Sequence, residues 1–210
     1  MTSIDKLTEL FAKFPGIGPR QARRFVYYLL TRNPSYIDEF TRLIAELKRD
    51  IRECASCHRF FEGSLPNQRE CDICQNTSRD ASTLIVVCRD VDLENIEKSH
   101  IYSGKYFVLG GSVPILEKNP NERIRSAELV RIVEERGGKT PPAVGLKEII
   151  LAMNLTPEGE NTGEYIETLL RPITLKYTIK ISHLGKGIST GTEIEYSDSE
   201  TIKNALKNRQ

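Results

Sequence analysis

The sequence predicts a multi-part α+β chain: an N-terminal helical region, a four-cysteine ribbon, an α/β domain with a mostly parallel sheet, and a short C-terminal segment. Three observations carry this. Apolar residues recur at helical spacing as far as Ile51, two Cys-x-x-Cys pairs follow, and short apolar runs then alternate with amphipathic stretches. At 210 residues, 39% hydrophobic and 28% charged, the composition is that of an ordinary globular protein. No apolar run approaches the roughly 18 residues of a membrane span. No signal-peptide pattern opens the chain, so a cytoplasmic location is expected.

The first region reads as three helices. Ser3 is the expected cap of a helix carrying Ile4, Leu7, Leu10, Phe11 and Phe14 at helical spacing. A second helix opens at Pro19 and presents Ala22, Phe25, Val26, Leu29 and Leu30 on one side. A third runs from about Ser35 to Ile51 with Ile37, Phe40, Leu43, Ile44 and Leu47 inward. Between the first two lies Phe14-Pro-Gly-Ile-Gly-Pro-Arg20, where Gly16 and Gly18 are expected to make a tight hairpin with outward N–H groups suited to a phosphate. Lys13, Arg20, Arg23 and Arg24 surround it with no acid from residue 13 to 24, and Arg20 and Arg24 share a helix face. That is a helix-hairpin-helix pattern, which holds nucleic-acid backbone without reading bases. A plain turn with a solvated basic face is the other reading. Charge is unevenly spread: residues 1–60 hold eleven Lys/Arg against seven Asp/Glu, while the whole chain carries only +1.

Cys54-Ala-Ser-Cys57 and Cys71-Asp-Ile-Cys74 are separated by thirteen residues that include Gly63, Pro66 and Asn67. Two such knuckles can place four thiolates around one Zn²⁺ and leave no position for water, so the predicted site is structural. Two disulfides or a redox dithiol are the competing readings, and the absence of a secretory pattern weighs against the first.

Beyond the ribbon, Leu84–Cys88, Tyr106–Leu109 and Ile149–Ala152 read as buried strands, with helices near 92–98 and 124–136, the second stopped by Gly137 and Gly138. Glu158 and Glu160 follow the third strand, and a helix is expected from about Asn161. Carboxylates at the C-terminal end of a parallel strand lie where α/β sheets place their sites. With Asp90 and Asp92 they either contact Mg²⁺ or, for the glutamates, complement the helix dipole.

In this order, these motifs resemble the bacterial RecR family of recombination mediators along essentially the whole chain. The resemblance takes in the hairpin, the two knuckles, Ser78-Arg-Asp80, Tyr106-Phe-Val-Leu-Gly-Gly111, Asn154–Glu160, Glu193-Ile-Glu-Tyr196 and a final helix near Thr201–Leu206. It implies a helix-hairpin-helix region over 1–53, a zinc ribbon over 54–76, a Toprim-like domain over 80–175 and a C-terminal segment over 176–210. It further implies a ring-shaped oligomer, commonly a tetramer, that clamps single- or double-stranded DNA at the nucleoid. Such a ring acts with RecO and RecF to load RecA, and its Toprim domain has no catalytic role. Arg20 and Arg24 match the family's basic hairpin positions, and Glu158 and Glu160 its partner-binding face. One departure is Cys88, standing where Toprim enzymes carry a Glu. It speaks against the runner-up reading, a Mg²⁺-dependent Toprim nuclease or nicking enzyme, and puts Mg²⁺ itself in doubt. A second is Leu184–Thr192, glycine-rich but without the Gly-Lys-Ser/Thr core of a phosphate loop, and read as a turn.

Overall fold

The computed structural model describes residues 1–65, 67–138, 145–185, 199 and 201–203. It divides into two compact units, Met1–Arg52 and Glu53–Gln210.

The first unit holds α1 (Ser3–Phe11), α2 (Pro19–Leu30) and α3 (Pro34–Asp50). Thr2, not Ser3, caps α1. Its hydroxyl accepts from the Asp5 amide at 3.3 Å while the Asp5 carboxylate accepts from the Thr2 amide at 2.9 Å, a reciprocal box. Likewise Asn33 displaces Ser35 as the cap of α3, because its Oδ1 accepts from the Tyr36 amide at 2.9 Å and Pro34 gives up no needed N–H. Phe11 anchors the α1–α2 hairpin through edge-on contacts with Phe14 and Phe25 at 5.7 and 5.8 Å. Only Ala22 and Val26 are fully buried on α2, and no residue of α1 or α3 is.

β1 (Ile51–Glu53), which spans the boundary, pairs with β2 (Phe60–Glu62), and in the second unit a single-turn helix α4 (Asp72–Gln75) carries the second knuckle. A four-stranded sheet follows, built from β3 (Asp80–Val87), β4 (Gly104–Val108), β5 (Glu148–Ala152) and β6 (Lys180–His183) in the order β4-β3-β5-β6. All three strand pairs are parallel. Helices α5 (Asp90–Lys98), α6 (Ser126–Gly137) and α7 (Pro157–Tyr177) make the crossovers. The helix expected from Asn161 begins four residues earlier, since Thr156 accepts the Gly159 amide at 3.1 Å and Pro157 fits the first turn.

Strand alternation assigns the two faces of the sheet. Leu84, Val86, Phe107, Ile149 and Leu151 pack on one side against Leu129, Ile132 and Val133 of α6 and Ile166 and Leu170 of α7. Ile85, Val87, Tyr106 and Val108 form the other core with Leu93 of α5 and with Cys54, Cys57, Phe61, Cys71 and Ile73 of the ribbon. The ribbon therefore packs on one face of the sheet, beside α5. Residues 201–203 are helical. The expected Glu193–Tyr196 motif, most of the glycine-rich Leu184–Thr192 run and the rest of the last helix lie outside the described residues.

Candidate nucleic-acid hairpin, metal centre and acidic face

At the α1–α2 hairpin, Gly16 has φ +75° with open space around a would-be Cβ, so only its backbone conformation requires glycine. Gly18 differs from the expectation. It is the N-cap of α2 in ordinary extended backbone, φ −82°, which any residue adopts. Its contribution is the absence of a capping side chain, which leaves the first-turn amides of α2 free to meet an external acceptor. Among the described residues Lys13 and Arg20 make no ion pair, and Arg24 makes only a long 3.4 Å hydrogen bond to Gln21 Oε1. Arg23 instead faces Asp5 at 3.5 Å, so part of its charge is already met.

The four cysteines come together. Their sulfurs all lie within 4.8 Å of one another, and Cys57 and Cys71 Sγ are 3.6 Å apart. A tetrahedron of thiolates about 2.3 Å from zinc has edges of about 3.8 Å, so the spacing fits the ion. All five cysteines of the chain are free in this structure. The Cys71 amide donates to Cys54 Sγ at 3.3 Å, a bond that favours the charged sulfur. Hydrogen bonds from the Cys57, Cys71 and Cys74 thiols hold Cys54 far below the ordinary thiol range, as expected where sulfurs share too few protons. Cys54, Cys57 and Cys71 are fully buried, and Cys74 partly.

Several polar contacts around this centre carried no signal in the sequence pattern. The Cys57 carbonyl accepts from the Val108 amide at 2.8 Å, and Asp90 Oδ1 accepts from the Phe60 amide at 2.8 Å. Lys105 Nζ donates to the carbonyls of Ile73, Cys74 and Asn76 at 3.1, 3.1 and 2.8 Å. His58, at φ +62°, sets its ring edge-on to Phe107 at 5.2 Å and its Nδ1 2.6 Å from Glu53 Oε1, an oxygen also met by Arg125 Nε at 3.2 Å.

The acids of the α/β domain do not converge. Asp90 is taken by Phe60, and Asp92 accepts from the Arg89 amide at 3.0 Å as part of the α5 cap. Glu158 and Glu160 sit in the first turn of α7, where negative charge suits the dipole. Glu158 Oε2 lies 3.5 Å from Ser112 Oγ, and Glu160 lines an open cleft of about 430 Å³ with Met153, Glu164, Glu167 and His183. Among the described residues only the cysteine cluster brings three or more His, Cys, Asp or Glu ligand atoms within 4.8 Å of one another. Asp90, Asp92, Glu158 and Glu160 therefore form no cluster of three or more such ligand atoms among the described residues. Cys88 is 1% exposed with Sγ 3.4 Å from Met153 Sδ. Burial pushes its thiol up to about 11, so it is neutral at ordinary pH. A built feature of this face is Gly159, where a Cβ would stand 2.0 Å from the Asn154 carbonyl oxygen.

Residues 82–184 match the family model of the Toprim domain, 4–48 that of "RecR, helix-hairpin-helix", and 187–210 that of "RecR, C-terminal". A helix-hairpin-helix unit joined to a thiol cluster and a Toprim sheet defines a protein of DNA recombination and repair. The curated relatives narrow this further. A "Recombination protein RecR" of Latilactobacillus sakei is 35% identical over 99% of this chain and 96% of its own length. Those of Lactobacillus acidophilus and Staphylococcus saprophyticus are 33% and 34% identical over 98% of this chain and 96% of theirs. The chain belongs to the RecR family. No helix among the described residues is long and apolar enough to cross a membrane.

Proposed function

We propose that this protein is a recombination mediator without an enzymatic step, gripping DNA backbone through the 1–53 hairpin region as a ring of several copies. The observation that carries this is the hairpin. Among the described residues Lys13 and Arg20 make no ion pair, and Arg20 opens the uncapped α2 with Arg24 on the same face. Gly16 and Gly18 shape the approach to a phosphate, and Arg23 contributes what Asp5 leaves of its charge.

A groove of about 740 Å³ between the three helices supports assembly. Leu7, Leu10, Phe14, Leu30 and Ile44 line it, all at least 40% exposed in the single chain. An open apolar surface of this kind calls for a cover, and a second copy supplies it at no loss of symmetry. Several hairpins on one ring then raise retention through effective concentration, as a homotetramer would. In this reading Cys54, Cys57, Cys71 and Cys74 hold one structural Zn²⁺ per chain within the 54–76 ribbon. Glu158 and Glu160, on the 80–175 domain, face a protein partner, RecO or RecF, in loading RecA at gaps. The 176–210 segment completes the subunit, and the ring works in the cytoplasm at the nucleoid.

Buried, neutral Cys88 and dispersed acids favour this over the Mg²⁺-dependent nuclease reading. The test is Arg20→Glu combined with Arg24→Glu. The double variant is expected to lose DNA retention while zinc content and oligomer mass stay unchanged. Unaltered affinity would overturn the assignment of the hairpin.

A further inference from the structure

We propose that Lys105 is the outer cation of the cysteine centre, a positioning residue that holds the second knuckle in ligating geometry from the edge of the sheet. The proposal rests on the zinc reading above and adds a residue that the cysteine spacing does not single out.

An ammonium has three donors, and Lys105 directs its Nζ to three carbonyls, those of Ile73, Cys74 and Asn76, at 3.1, 3.1 and 2.8 Å. These carbonyls close α4, a helix of four residues, Asp72–Gln75, too short to satisfy its own last acceptors. Cys74 lies within the set and Cys71 immediately precedes α4, so the bonds fix the segment that supplies both second-knuckle sulfurs. Cys74 is also the least buried of the four ligands, the position where outside support matters most.

Lys105 belongs to β4, an edge strand whose partner at that register is Leu84. Three residues along the same strand, the Val108 amide donates to the Cys57 carbonyl at 2.8 Å. One strand therefore holds both knuckles, the first by a backbone bond and the second by a side-chain charge. Charge balance points the same way. Four thiolates around a divalent ion leave roughly two net negative charges in a mostly buried site, and an ammonium bonded to the backbone of the second knuckle offsets part of that. Partners in this outer layer commonly change metal affinity by about 10–100-fold when lost. Arginine keeps the charge, but its planar fork does not converge on three carbonyls.

The experiment uses full-length, zinc-loaded protein and follows zinc transfer to excess 4-(2-pyridylazo)resorcinol. Lys105→Met is expected to release zinc roughly 10–100-fold faster than wild type, with Lys105→Arg between the two. The Co²⁺-substituted Lys105→Met protein should show weakened thiolate-to-cobalt absorption. Leu129→Ala, in the core on the opposite sheet face, controls for general loss of stability and should release zinc at the wild-type rate when compared at equal distance below its melting temperature. Release from Lys105→Met within about twofold of wild type, or equal acceleration in Leu129→Ala, would overturn the role of Lys105. A wild-type protein that takes up no metal when supplied with zinc would overturn the zinc reading itself, and this proposal with it.

Discussion

Gly16 and Gly18 occupy equivalent places in the hairpin motif and do different work. Gly16 alone has a left-handed backbone, so Gly16→Ala should cost about 1–2 kcal/mol, whereas Gly18→Ala, at an N-cap where glycine is preferred to alanine, should cost about 0.5–1 kcal/mol. Thermal unfolding of the two variants checks this, and equal losses would contradict it. The sequence shows that glycine is present but not which φ it adopts. The same limit applies to the caps: Thr2 and Ser3, or Asn33 and Ser35, are both competent in type, and only the position of the receiving amide decides between them. Cys88 is a more informative case, since its place after a Val-Val run already marked it as buried. Its thiol is neutral in the fold to about pH 11 but ionises near about 8.5 in the unfolded chain. In that window the unfolded state has lost more protons, so stability should be full below about pH 8.5 and fall as pH rises toward about 11. The difference between wild type and Cys88→Ala in chemical denaturation across that range should therefore narrow with pH. A constant difference would show that burial does not control this thiol.

The ribbon and the sheet act as one element at the next scale. Helical periodicity in the first 51 residues and strand-helix alternation after residue 80 were readable because each depends on local spacing. What spacing could not reveal is that the knuckles cover Ile85, Val87, Tyr106 and Val108. A strand buried on both faces displays a continuous apolar run that does not name its neighbours. The contacts from Lys105, Asp90 and Val108 to the ribbon are equally invisible, because each joins residues about 30 to 50 positions apart through backbone atoms. One consequence reaches beyond the metal centre. Chelation should loosen the ribbon-covered face of the sheet and leave the α1–α2 hairpin intact. Hydrogen exchange should then speed up at the amides of Tyr106 and Val108 but not at those of Ala22 and Val26. Uniform protection after zinc removal would mean the sheet does not depend on its ribbon.

Across the whole molecule, the order of parts was the most readable feature, since the hairpin, the paired knuckles and the α/β region occur in one sequence with distinct local signatures. The acidic face was least readable. Asp90, Asp92, Glu158 and Glu160 look like a cation site when aligned along the chain, yet two are spent on backbone amides and two begin a helix. In the proposed reading, the open apolar groove of the first unit is covered by further copies, and the buried Cys88 offers no acid for catalysis. With the grip proposed to be on phosphate, affinity should fall steeply with salt and vary little with base sequence.

The most direct measurement is a single gel. Supercoiled plasmid and an end-labelled gapped duplex are incubated with the protein and Mg²⁺, alongside Glu160→Ala, and half of each sample is deproteinised. Shifted DNA that returns intact after deproteinisation, for both proteins, is the expected result for a clamp without chemistry. Nicked or relaxed plasmid that depends on Glu160 would contradict it and establish catalysis at the acidic face despite Cys88.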